Sequence, residues 1–358
     1  MLAYVASNVQ PPADPQPLNQ LPPAAPLMTL SASSTDTEEA AASHPTVRLG
    51  AHPAHVLQAY SPLPGRDHTS RSPAQMAWKR ACWVLLLTVP EGHTIHRLAA
   101  RHLELFAGQL LQVSSPQGRF TDGAGRVDGR RLTDTEAYGK HLLHHYDGDL
   151  TVHVHLGLYG KFADGERPVP APVGQVRMRV VGGAHWLDLR GPTACEVFDP
   201  AQVQLLRDRL GEDPLRDDSD PRAAFPSIHK SGKPIFGLLM DQSIVAGCGL
   251  IYANEVLFRA GLAPSTPGRL ITADVWDELW ADLRALMKEG VARGRIDTVH
   301  TRHTPEAMRR APRVDRHGGE VYVYRRPGQP CLVCGTEVAR GSLAARNLYW
   351  CPSCQRER

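Results

Sequence analysis

The sequence predicts an α+β protein of several domains: an N-terminal β-sandwich with flanking helices, then a helical domain, then a C-terminal hairpin built on four cysteines. Three observations lead there. Up to about residue 206, short alternating runs are separated by glycine-containing turns. Between residues 222 and 290, apolar side chains recur at helical spacing. Near the end, Cys331-x2-Cys334 and Cys351-x2-Cys354 stand 16 residues apart. A chain of 358 residues has room for two or more such domains.

Residues 1–88 differ from the rest. They hold 12 of the 30 prolines and 15 alanines, with 5 basic and 5 acidic residues, and no helical or strand period persists. Such a composition buries too little apolar surface to offset chain entropy, so it reads as a disordered extension. The apolar run Trp83-Val84-Leu85-Leu86-Leu87 follows Lys79-Arg80 but is too short and too far from residue 1 for a signal peptide. No stretch approaches the roughly 18 apolar residues that cross a membrane.

The first folded domain covers residues 90–206. Pro90-Glu91-Gly92-His93 opens a helix whose apolar face is Ile95, Leu98, Ala99, Leu103 and Phe106. Proline loses nothing in a first helical turn, and a glutamate there meets the positive end of the dipole. On these residues alone, a capped core helix suffices. Strands follow at 152–156 and 176–180, with turns at Asp122-Gly123, Asp128-Gly129, Asp147-Gly148 and Gly182-Gly183. His141, His144, His145, His153 and His155 read as exposed strand residues, because no acidic set accompanies them as a metal site needs.

Residues 207–221 are charged, with two prolines and a glycine, and read as the interdomain connection. The helical domain spans 222–310. It contains an apolar run at 235–240 and the series Trp276, Leu279, Trp280, Leu283 and Leu286. Between them lies DQSIVAGCGLIY, where Gly247 and Gly249 permit tight turns and close approach to another surface.

The last domain, 320–358, carries the four cysteines. Two CxxC pairs around a hairpin have the spacing of one structural, tetrahedral Zn2+ site, with Cys331, Cys334, Cys351 and Cys354 as ligands. The alternative is a site that has lost its metal. Seven cysteines make an odd number, and the lone Cys82, Cys195 and Cys248 read as free thiols of a reducing compartment. Residues 291–358 hold 13 Arg, 6 acidic residues and no Lys, which suits a phosphate-binding surface or a solvated basic face.

Taken together, PEGHTIHRLAARHLELFAG, SSPQGRF, YGKHL, HVHLGLYG, the 241–252 turn and the cysteine hairpin resemble the formamidopyrimidine-DNA glycosylase/endonuclease VIII family of DNA-repair enzymes. The resemblance runs from Pro90 to Gln355, and PEGHTIHR is nearer the endonuclease VIII branch. It implies a bifunctional DNA glycosylase and abasic-site lyase. Such an enzyme excises oxidised bases, pyrimidines favoured, and nicks the strand by β,δ-elimination. It also implies a monomer acting on damaged DNA, cytoplasmic and nucleoid-associated, with no membrane partner. The helical domain would hold the family's helix–two-turn–helix motif.

Residue by residue, the resemblance makes the Pro90 amine the nucleophile and Glu91 the general acid. Lys140 holds the lesion phosphate, and Arg346, in the zinc hairpin, clamps the backbone. Leu158 and Tyr159 form a wedge inserted into the base stack, or else an ordinary strand-end turn with two half-buried side chains. Gly247 and Gly249 lie in the turn that meets DNA. Two positions depart from the family. Leu250 stands where an asparagine usually donates to a phosphate, so that grip is weakened. Pro90 follows Val89, and an amide nitrogen is no nucleophile. Valine is also how an internal GUG reads, and GUG can start translation. Residues 1–88 would then be a mis-annotated upstream frame, with proteolytic maturation as the other route to a free amine. The competing function is a non-catalytic DNA- or lesion-binding protein with a blocked Pro90.

Overall fold

Alternating side chains and tight turns close residues 112–198 into two antiparallel four-stranded sheets. The structure is a computed structural model that describes residues 90–314, 319–343 and 345–356. The expectations for residues 1–88, including Cys82, lie outside those residues.

Helix α1 (Gly92–Phe106) is followed by β1 (Gln112–Ser114), α2 (Thr121–Val127), β2 (Leu132–Tyr138), β3 (His141–Tyr146) and β4 (Leu150–His155). Then come β5 (Lys161–Glu166), β6 (Val176–Val181), β7 (His185–Arg190) and β8 (Ala194–Phe198). One sheet has the order β2-β3-β4-β8 and the other β1-β6-β7-β5. Leu142, Val152 and Val154 of the first share a core with Phe162, Met178, Leu187 and Leu189 of the second. Ile95, Leu98 and Phe106 of α1 join that core. The apolar stripe read from the sequence is therefore the buried face, with Leu103 at its half-buried margin.

Register matters for the site. His141 pairs with His155 across β3 and β4. Lys140, just before β3, and the Gly157–Gly160 turn, just after β4, therefore leave the sheet at the same end.

Helix α3 (Pro200–Asp208) packs Val203 and Leu206 against Leu143 of the sandwich. The helical domain comprises α4 (Pro221–His229), α5 (Ile235–Met240), α6 (Leu250–Arg259), α7 (Ala273–Arg293) and the short α8 (Pro305–Met308). The hairpin strands are β9 (Ala339–Leu343) and β10 (Arg346–Trp350), paired Tyr349 to Arg340. One apolar cluster runs from Ile235, Tyr252 and Trp276 to Tyr322, Leu348, Tyr349 and Cys351. The cysteine hairpin thus shares the core of the helical domain rather than building its own, as expected of so small a segment.

Three local readings are corrected. Asp122-Gly123 lies inside helix α2, not in a turn. The interdomain connection 207–221 begins within α3 rather than after it, and its Asp213 is buried. The histidines are not exposed. His144 and His153 are buried, and His141, His145 and His155 are half-buried.

Three of these five histidines enter ring pairs. His102 Nδ1 lies 2.9 Å from His144 Nε2, and His141 Nδ1 lies 2.9 Å from His153 Nε2. Burial pushes His141 and His144 down to about 3, and His153 to about 4. Each ring pair needs one donor and one acceptor nitrogen, so protonation removes the acceptor. Unfolded histidines take up protons below about pH 6.5, whereas these remain neutral until far lower. Stability is therefore full above that pH and falls progressively as pH drops toward 4. Thermal unfolding between pH 8 and pH 4.5 should show a steep decline below 6.5; a flat profile would mean the ring pairs stay intact when charged.

Candidate active site

The site begins with Glu91. Its backbone is extended and precedes α1, but its side chain makes no capping bond to that helix. The carboxylate reaches instead to the start of α6, 160 residues away, where Oε1 accepts from Ile251 N at 2.8 Å. Oε2 takes a longer contact from Tyr252 N at 3.5 Å. The favourable dipole end is that of a distant helix, which corrects the local reading.

Glycines make this approach possible. A Cβ on Gly249 would lie 2.4 Å from Glu91 Cδ, and one on Gly92 would lie 2.9 Å from Gly247 Cα. Gly92 N donates to Gly247 O at 2.9 Å, so the backbone beside Glu91 is stitched to the turn before α6. Gly247 itself sits at φ +87°, a conformation that favours glycine.

Lys140 comes from the sandwich. Its Nζ donates to Cys248 O at 2.8 Å, and Gln242 Nε2 donates to the same carbonyl at 2.9 Å. Gln242 also accepts from Gly247 N with Oε1 at 3.0 Å, so its amide fixes the shape of the turn. Gly139, preceding Lys140, donates its N–H to Asp213 Oδ2 at 2.7 Å. The same oxygen lies 2.8 Å from His96 Nε2. Sequence reasoning missed Asp213 and Gln242. Asp213 was hidden among exposed carboxylates in a charged run, and no local pattern marks the one that is buried.

The electrostatics follow from this geometry. Glu91 is 1% exposed. Burial raises its pKa, while the Lys140 charge and the N–H groups of Ile251, Tyr252 and Gly249 oppose that rise. Lys140 is pushed down by burial, and the Glu91 carboxylate counters this. The charge of Arg346 pushes Lys140 down further. The zinc-hairpin arginine therefore lies within electrostatic reach of Lys140. Pro90, half-buried, directly precedes Glu91. Cys248, between the two glycines, is a buried thiol whose pKa burial raises, so it is inert.

Leu158 and Tyr159 are 66% and 80% exposed, far from the half-buried state of an ordinary strand-end turn. The turn is braced from beneath: Gly157 has φ +64°, and a Cβ there would lie 1.9 Å from Thr193 Oγ1. Leu250 is the first residue of α6 and packs against the helical-domain core.

In the hairpin, all four cysteine sulfurs lie within 4.8 Å of one another. Cys331 and Cys354 Sγ are 3.9 Å apart, and Cys334 and Cys351 Sγ are 3.4 Å apart. Tetrahedral zinc with Zn–S bonds of about 2.3 Å needs sulfur separations near 3.8 Å. The donor set fits one structural zinc per chain. Cys351→Ser should cost that metal and loosen β10. Because Cys351 belongs to the helical-domain core, the thermal midpoint should drop as well. Metal analysis and calorimetry on the purified variant check this; full zinc content would refute the ligand assignment.

A buried carboxyl and lysine beside a proline, an exposed Leu158-Tyr159 turn and an arginine-bearing zinc hairpin are the parts of a DNA glycosylase scaffold. Comparison with known proteins gives the family. The formamidopyrimidine-DNA glycosylase N-terminal domain matches residues 89–195 and its H2TH domain residues 210–302. The zinc finger found in formamidopyrimidine-DNA glycosylase and isoleucyl-tRNA synthetase matches residues 328–356. Endonuclease 8 1 of Mycobacterium bovis is 50% identical over 274 residues, covering 75% of this chain and all of that protein. The formamidopyrimidine-DNA glycosylase of Thermus thermophilus is 32% identical over 278 residues, 75% of this chain and 98% of that protein. The crystal structure of the Thermus thermophilus MutM (Fpg) protein aligns with a TM-score of 0.60 at 29% identity, covering 75% of this chain and 100% of that one. A Lactococcus lactis Fpg complexed with DNA containing an abasic site shares the fold, with a TM-score of 0.61 at 20% identity and the same coverage. This chain belongs to the formamidopyrimidine-DNA glycosylase/endonuclease VIII family of bifunctional DNA glycosylase/abasic-site lyases.

Proposed function

We propose that this enzyme excises oxidised pyrimidines from DNA and nicks the strand by β- and then δ-elimination, in a form whose chain begins at Pro90. The observation that carries the mechanism is the Glu91 carboxyl, buried against the N-terminus of α6 beside Lys140 and directly after Pro90. A terminal proline amine has a pKa near 8, so a useful fraction is unprotonated at neutral pH. Its lone pair attacks C1′ of the damaged nucleotide and the bond to the base breaks. The ammonium so formed gives up its proton as the base leaves protonated; C1′–O4′ then breaks with proton transfer to O4′, leaving an iminium that acidifies C2′–H. Eliminations at the 3′ and then the 5′ phosphate cut the strand.

Burial raises the Glu91 pKa, which favours its acidic form relative to an exposed glutamate and suits it to donate to the sugar ring oxygen as the ring opens. Lys140 holds the lesion phosphate, and Arg346 clamps the backbone and stabilises charge during elimination. Leu158 and Tyr159 fill the gap left by the everted nucleotide. Gly247 and Gly249 keep the helix–two-turn–helix turn thin where it meets DNA. Leu250 offers no phosphate donor there, so the basic residues carry more of the grip.

The Pro90 start is supported by the family match, which begins at residue 89. The pyrimidine preference is supported by the PEGHTIHR opening and by the 50% identity with endonuclease 8 1. The family resemblance implies a monomer acting at the nucleoid in the cytoplasm. The folded domains are read as 90–206, 222–310 and 320–358. The substrate assignment is tested by single-turnover excision from duplexes carrying thymine glycol or 8-oxoguanine. The pyrimidine should be released faster, by about tenfold or more; equal rates, or faster release of 8-oxoguanine, would reject the preference while leaving the lyase mechanism intact.

A further inference from the structure

Arg346 sits on a small hairpin, yet it must act at a site assembled from the sandwich and α6. Apolar contacts hold Leu348 and Tyr349 in the helical-domain core, but such contacts are non-directional and allow a strand to slide. Gln355 ties Cys351 N, just past β10, to Leu262 O; within β10 itself a further directional tie reaches α6.

One buried side chain supplies it. Asn254, fully buried on α6, donates from Nδ2 to Leu250 O at 2.7 Å, the carbonyl of the first residue of that helix. This bond back to its own helix orients the amide. Oδ1 then faces β10 and accepts from Tyr349 N at 2.7 Å. The neighbouring Leu250–Tyr252 turn is the one that receives the Glu91 carboxylate. Tyr349 lies three residues beyond Arg346, about 10 Å along an extended strand.

We propose that Asn254 is a positioning residue: its amide couples the start of α6, where Glu91 binds, to β10, and so sets where Arg346 meets the DNA backbone. This rests on the role given to Arg346 above. The bonding is specific in both directions. A leucine at 254 keeps the volume but makes neither bond, whereas an aspartate keeps an acceptor for Tyr349 N and loses only the donor to Leu250 O.

The test is a double-mutant cycle on the zinc-loaded enzyme with a free Pro90 amine, using abasic-site duplex. The readouts are the single-turnover cleavage rate and the salt dependence of DNA binding. Arg346→Ala should slow cleavage by about tenfold or more, as loss of a hydrogen bond to a charged group does, and should reduce the salt slope by about 1. Asn254→Leu should reproduce most of both losses with zinc content unchanged. Asn254→Leu combined with Arg346→Ala should be no worse than Arg346→Ala alone. Asn254→Asp should retain the arginine's contribution. Should Asn254→Leu fail to fold, Asn254→Ala, which adds no bulk, is put through the same cycle. Losses that multiply in the double variant, or an Asn254 variant with unchanged slope and rate, would overturn the coupling. If Arg346→Ala itself changes nothing, the role of Arg346 fails and the inference falls with it.

Discussion

A chain beginning at Pro90 is expected to be trapped covalently on abasic-site DNA by borohydride, and the intact 358-residue chain is not. The reason is the state of one nitrogen. As a chain end, Pro90 offers a secondary amine whose lone pair can attack C1′ and form an iminium that borohydride reduces. Preceded by Val89, the same nitrogen is a tertiary amide, and resonance with the carbonyl holds the lone pair. The surroundings sharpen the contrast. Glu91 is buried beside Pro90, and Gly92 N is already bonded to Gly247 O, so the backbone there cannot swing aside to compensate. The intact chain keeps the zinc hairpin and the helix–two-turn–helix turn and should still bind DNA. Denaturing gels report the adduct, and mass spectrometry of that adduct reads its N-terminus. An adduct formed by a chain that still carries residues 1–88 would overturn Pro90 as the nucleophile. Failure of both forms to trap would favour the non-catalytic DNA-binding alternative.

The second large effect is expected at Glu91. In the chain starting at Pro90, Glu91→Gln should lower base excision by about 10²–10⁴, the range of a general acid. Cleavage of a preformed abasic site should fall much less, because the amine still makes the iminium. The amide oxygen can still accept from Ile251 N, so the turn before α6 stays in place and the variant should fold. The pH dependence follows from the raised pKa. Burial shifts the carboxyl upward, so the acidic form persists to higher pH than for an exposed glutamate. Excision by the unsubstituted enzyme should fall on the alkaline side as that carboxyl ionises, and Glu91→Gln should abolish this limb. Equal losses of excision and lyase rates would instead assign Glu91 to holding the turn rather than to proton transfer.

What the sequence alone determined about this protein is whatever is encoded over short distances. The cysteine spacing defines a zinc tetrahedron because both CxxC turns and the intervening hairpin are local. Alternation and glycine turns give the sandwich, and the three- and four-residue spacing of Trp276, Leu279, Trp280 and Leu283 gives α7, because periodicity is a property of neighbouring residues. The order of Pro90, Glu91, Lys140, the wedge and Arg346 gave the family.

Tertiary structure alone decided which groups share the site. Glu91 reads locally as a cap for its own helix, yet it serves α6 across 160 residues. The strand histidines read as exposed, yet His144 pairs with His102 of α1 and His141 pairs with His153 on the face that carries Leu143 and Phe198, because which side of a strand is buried depends on what the second sheet, α1 and α3 cover. Asp213 reads as one more charge in a linker, yet its Oδ2 fixes Gly139 beside Lys140. Asn254 gives no sequence signal at all. A buried polar group is recognised by its partners, and hydrogen-bond partners far apart in the chain meet only when the domains pack.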